Sequence, residues 1–152
     1  MRKELIAAAA ALATLFVPVA GNAAEVQVKM LNRGSQGLFV FEPALVKINP
    51  GDGVKFVAAD KGHDVESIPG MLPAGATPFK APMSQNMTVT FTKPGVYGYK
   101  CRPHYGMGMV GLIVVGSPGN VVEAKAVNQI GRAKITFAEL FAKLGTTQAA
   151  AK

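Results

Sequence analysis

The sequence predicts an all-β sandwich with two short α-helices at its C-terminal end. Three observations carry that expectation. Apolar and polar residues alternate with period two through much of residues 25–115, turns built from proline and glycine punctuate the alternation, and after Gly116 the apolar spacing lengthens to that of a helix.

The elements follow in order. Val26, Val28 and Met30 alternate with Gln27 and Lys29, and Val46 and Ile48 flank Lys47, so each segment reads as a strand with one buried and one wet face. Asn49-Pro50-Gly51-Asp52-Gly53 is a turn, and a strand follows over Val54 to Ala58. Residues 68–82, with prolines at 69, 73, 78 and 82, read as a long irregular crossover. Met87, Val89 and Phe91 alternate with threonines and lead into the turn Lys93-Pro94-Gly95. Val96 to Lys100 and Val110 to Val115 are two further strands joined by a loop. Short strands separated by such turns suggest antiparallel pairing. Asn120, with Glu123 three residues on, predicts a helix through about Val127. Thr136-Phe137-Ala138-Glu139 reads as a capping box opening a second helix, with Phe137, Leu140, Phe141 and Leu144 on one face and fraying from Gly145. The expected organisation is a β-domain over 24–116 and a helical extension over 117–152 packed on the same domain.

The first 23 residues read as a leader. Met1-Arg2-Lys3 is basic, Leu5 to Val19 is apolar and rich in alanine, and Gly21 and Ala23 are small, which predicts a secretory signal removed after Ala23. The apolar run falls short of the roughly 20 residues a membrane span needs. No later segment reads as a span, so a soluble exported protein, a monomer, is expected. The chain carries 16 basic and 9 acidic residues, a formal net charge of +7 that favours acidic partners. Its lysines are scattered, with no dense arginine run or aromatic-basic module, which argues against nucleic acid.

One cysteine excludes an internal disulfide, and an exported thiol without a partner is chemically employed, buried or paired between chains. The neighbours of Cys101 favour employment. His104 follows three residues later and Met109 five after that, in a loop bridging two strands. The only other histidine, His63, lies in the turn-rich Asp60-Lys61-Gly62-His63-Asp64. A thiolate, two imidazoles and a thioether are the donor set of a trigonal copper site with a weak axial sulfur. Zinc also takes cysteine and histidine, but a thioether as fourth donor suits copper better. Met107 competes for the axial place; Met109, at the strand re-entry, is the better held of the two. The backbone N–H of Asp64 is the natural donor to the thiolate, whereas Pro103 has none to give. Too few histidines remain for a catalytic copper, so an electron carrier rather than an enzyme is expected, with a copper-storage protein as the rival class.

His63, Cys101-x-x-His104 and Met109 resemble the type-1 copper ligands of cupredoxins. The loop length, the helical extension, Lys29 to Asn32, Val40-Phe41-Glu42-Pro43 and Pro103-His104-Tyr105-Gly106-Met107-Gly108-Met109-Val110 are similar to the pseudoazurin family over essentially the whole mature chain. The resemblance implies a cupredoxin-like Greek-key β-sandwich and a periplasmic shuttle of single electrons, delivering to a copper nitrite reductase or similar enzyme, with c-type cytochromes also among its redox partners. It implies electron exit through His104, within an apolar patch of Phe39, Pro43, Pro103 and Met107. Around the patch, Arg33, Lys61, Lys80, Lys100 and Arg102 would form a basic docking ring. Two positions depart from the family's usual residues: Asp64 stands where asparagine is common, and Phe39 where methionine is common. An unpaired Asp64 carboxylate would lower the reduction potential, and the Phe39 ring could stack on His104.

Overall fold

The computed structural model describes residues 21–149. The leader and its cleavage site are therefore covered only from Gly21 onward. The described residues form nine strands: β1 (Glu25–Gly34), β2 (Gly37–Glu42), β3 (Leu45–Ile48), β4 (Gly53–Val57), β5 (Val65–Ser67), β6 (Lys80–Ala81), β7 (Met87–Thr90), β8 (Gly95–Lys100) and β9 (Val110–Val115). Helices α1 (Val121–Ala126) and α2 (Ala133–Ala149) follow. One sheet has the order β2-β1-β4-β7, the other β3-β9-β8-β5-β6.

The pairing is mixed rather than purely antiparallel. β1 runs parallel to β4 and β3 parallel to β9, because each of these neighbours is reached by a crossover to the other sheet. Strand β2 carries no periodic signal in the sequence: Gly37–Glu42 contains the unbroken apolar run Leu38 to Phe41, without alternation.

Alternation and burial explain the layering. β7 alternates half-buried and exposed residues, as a strand wet on one face does. β9 is buried at every position and β8 at all but Lys100. Both faces of that sheet are covered. Tyr97, Tyr99, Ile113 and Val115 pack between the sheets with Val28, Met30, Phe41, Val54 and Phe56. Val96, Leu112 and Val114 point the other way, against Phe137, Leu140, Phe141 and Leu144 of α2 and Ala124 of α1. Gly98 lets Met71 pack close there, since a Cβ would lie 2.6 Å from the Met71 side chain and force it to shift.

The helix starts differ from expectation. Asn120 precedes α1, but its side chain accepts from the Val96 N–H and donates to the Val96 carbonyl, tying the helix to β8 instead of capping it. Thr136 opens no helix: α2 begins at Ala133, and the Thr136 hydroxyl donates back to the Arg132 carbonyl. The helix is continuous past Gly145, where fraying was expected, to Ala149. The crossover over 68–82 is irregular except at its end, where Lys80–Ala81 pairs with β5.

Candidate metal centre

One end of the sandwich collects the chain's only thiol and both imidazoles. Cys101 follows β8 directly, and its N–H donates to the Met109 carbonyl, so the loop from Cys101 to Met109 closes on itself just before β9. His104 sits between, starting a 3₁₀ turn over Tyr105–Met107, and its carbonyl accepts from both Met107 and Met109. Gly108 ends that turn at φ +94°, with Thr136 Oγ1 only 2.8 Å from where a Cβ would stand. The segment before and within α2 braces the loop from outside: Arg132 donates its N–H to the Gly106 carbonyl, and the Tyr105 hydroxyl donates to Gln129.

His63 comes from the far side of the sequence, in the loop between β4 and β5. Its carbonyl accepts from the Ser84 N–H at 2.7 Å. Its Nε2 lies 2.9 Å from Asn32 Oδ1, which must be an acceptor, so Nε2 carries the proton and Nδ1 is left with its lone pair. Asn32 is itself anchored, its N–H donating to the Asp60 carboxylate. Sequence reasoning did not assign Asn32 a role; the only sign was its place in Lys29 to Asn32.

The three donor atoms form a compact triangle. His63 Nδ1 and His104 Nδ1 are 3.2 Å apart, and Cys101 Sγ lies 3.8 and 3.5 Å from them. The point equidistant from three such corners is about 2 Å from each, close to the ~2.0–2.3 Å of metal–imidazole and metal–thiolate bonds. Cys101, His63 and Met109 are fully buried and His104 is half-buried. Met109 packs in the same core cluster as Cys101, whereas Met107 is exposed on the outside of the loop.

Burial sets the electrostatics of these donors. Burial pushes the Cys101 thiol up to about 11, against the backbone N–H groups of Asp64 and His104, which act to lower it. Pro103 thus supplies no bond, and the second N–H comes from the residue after it. Burial lowers the pKa of His63, and the neighbouring His104 adds to the effect. Burial thus favours the uncharged forms of the Cys101 thiol and the His63 imidazole, and binding a metal through the sulfur would displace the thiol proton.

The geometry agrees with comparison to known proteins. Residues 28–116 match the family described as copper binding proteins, plastocyanin/azurin family. The pseudoazurin of Methylorubrum extorquens is 47% identical over 143 residues, covering 93% of this chain and 97% of that protein. The pseudoazurin of Paracoccus pantotrophus is 50% identical over 132 residues, covering 86% and 90%. The chain belongs to the pseudoazurin family. Its fold matches the solved pseudoazurins of Methylobacterium extorquens AM1 (TM-score 0.77, 50% identity, 79% of this chain and 98% of that one) and Hyphomicrobium denitrificans (0.76, 42%, 79% and 98%). The expected cupredoxin fold and the copper cofactor of this electron-carrier family therefore stand, and the His-Cys-His triangle fits that ion.

Two departures from the usual pseudoazurin residues find structural accounts. Phe39 lies flat on His104, with ring centroids 4.2 Å apart and planes within 6°. It does so from a left-handed backbone, φ +52°. Asp64 is buried yet paired: Oδ1 accepts from the Arg102 N–H at 2.7 Å and Oδ2 from Arg102 Nε at 2.6 Å. Its charge is thus compensated, which removes the premise for a lowered potential.

The basic ring is also altered. Lys80 and Lys100 pair with Glu66, and Arg102 with Asp64 and Glu66. Among the described residues, Arg33 and Lys61 are exposed and join no ion pair. Leu38, 55% exposed beside Phe39, adds to the expected apolar surface, and Met107 is exposed as that patch requires.

Proposed function

We propose that this chain is exported to the periplasm, loses its leader after Ala23, and carries single electrons between redox partners without catalysing a reaction itself. His63, Cys101 and His104 would hold one copper ion, with the thioether of the buried Met109 as a weaker fourth donor. The observation that carries this reading is the buried triangle of one sulfur and two Nδ1 atoms, 3.2–3.8 Å on a side. When bound, copper supplies a one-electron couple between Cu(II) and Cu(I). The residues supply the rest. Asn32 fixes the His63 tautomer, the Asp64 and His104 N–H groups stabilise negative charge on the sulfur, and two covered faces of the second sheet keep the ligands in place.

His104, half-buried and stacked on Phe39, is the route to the surface. Leu38, Phe39, Pro43, Pro103 and Met107 around it are the apolar contact, where a partner excludes water. Arg33 and Lys61, with the net positive charge of the chain, steer an acidic partner. A copper nitrite reductase is the acceptor this reading favours, and a c-type cytochrome the donor. Association rates that fall steeply with salt support the steering; salt-independent rates refute it.

Visible and EPR spectra of the copper-loaded protein test the reading as a whole. An intense blue or green band from thiolate-to-copper charge transfer, bleached reversibly on reduction, supports it. A colourless complex that holds only Cu(I) identifies a storage protein instead.

A further inference from the structure

We propose that Asp64 and Arg102 form a charge-compensated strap between the two ligand-bearing loops, in which Arg102 sets the reduction potential by cancelling the buried Asp64 carboxylate. The inference rests on the copper reading above. Asp64 is chain neighbour to His63, and Arg102 to Cys101, so one ion pair joins segments 38 residues apart with a ligand on each side. Both carboxylate oxygens are used, one by a backbone N–H and one by the guanidinium, which fixes the relative position of the loops and not merely their separation.

The two partners are unequal in exposure. The Asp64 side chain is 1% exposed, whereas that of Arg102 is 49% exposed. Water screens the guanidinium but hardly reaches the carboxylate. Removing Arg102 therefore leaves a buried negative charge beside the ligands, which favours the more positive, oxidised ion. Removing Asp64 leaves a cation that solvent already screens. Glu66 also approaches Arg102, at 3.7 Å, but it has Lys80 at 3.4 Å and Lys100 at 3.5 Å, so its charge stays compensated when Arg102 is gone. An asparagine at position 64 could accept the same backbone N–H but would offer no charge to balance.

Voltammetry of copper-loaded wild type, R102Q, R102K, D64N and D64N/R102Q provides the test. R102Q is expected to shift the midpoint down, raising the oxidised-to-reduced ratio at fixed potential about tenfold. R102K shifts it down less, and D64N moves it little. In the D64N background, R102Q changes almost nothing. Equal shifts from R102Q in the two backgrounds, or no shift in either, overturn the proposal. Should R102Q fail to fold, R102K against D64N/R102K gives the same cycle. Melting of the copper-free proteins supplies an independent readout: R102Q lowers Tm by about 10 °C and D64N/R102Q restores most of it. Additive melting shifts would refute the strap. A wild type with no thiolate–copper band would sink the copper reading alone, because the melting cycle does not depend on it.

Discussion

His63 and His104 turn the same ring atom, Nδ1, toward one sulfur, yet the chain holds them by opposite means. His63 is fully buried, its ring fixed by Asn32 and its backbone by Ser84, both distant in sequence. His104 is three residues from Cys101 and half-exposed, held by the curl of its own loop, the flat face of Phe39 and the brace of the segment leading into α2. The difference teaches a division of labour. A buried ring pinned by hydrogen bonds has its position set by the core, and an edge ring pinned by stacking stays within reach of solvent.

The sharpest way to break this comparison is to delete each ring. His104→Gly should regain the thiolate–copper band when millimolar imidazole is added, because the missing ring opens toward solvent. His63→Gly should not, because its space lies in the core. Equal rescue in absorbance titrations would show that the two sites are equally accessible.

Outer support should matter more on the buried side. Asn32→Ala removes the acceptor that orients His63 and is expected to weaken copper binding by about 10–100-fold in competition titrations. An affinity within twofold of wild type would mean that packing alone orients the ring.

Titration separates the regions further. Burial lowers the His63 pKa, so the unfolded chain takes up a proton there before the folded one does as pH falls. The copper-free protein should therefore lose stability from about pH 6.5 downward, toward the lowered folded value. His63→Gln should flatten that decline in Tm between about pH 7.5 and 5; an unchanged profile would assign the loss to other groups.

The smallest effect concerns Phe39. Its stack on His104 is worth about 0.5–1.5 kcal/mol, while its left-handed backbone costs about 1–2 kcal/mol. Both Phe39→Ala and Phe39→Gly lose the stack, but glycine also relieves the backbone. Phe39→Gly should thus exceed Phe39→Ala by about 1 kcal/mol in urea unfolding of the copper-free protein. The reverse order would show that φ +52° carries no strain here.

Legibility followed the range of the physics. Cys101, His104 and Met109 were readable because all three lie within one short loop, and His63 because no other imidazole was available. The strands with one wet face announced themselves by alternation. β2 did not, because its apolar run gave no period, and the Thr136 capping box misled because tertiary packing starts α2 three residues earlier. Asn32 and the pairing of Asp64 with Arg102 were invisible, since nothing local links positions 31 and 38 residues apart.

By itself, then, the sequence determined the candidate donors, the sandwich and its helical cover, because donor chemistry, side-chain period and turn residues are properties of neighbouring residues. Only the tertiary structure decided which sheet is covered on both faces, which histidine is anchored and which is the edge, and whether the Asp64 charge is free. Those are set by solvent exclusion and by partners brought together across the fold, and a buried carboxylate reads the same in sequence whether a guanidinium waits beside it or not.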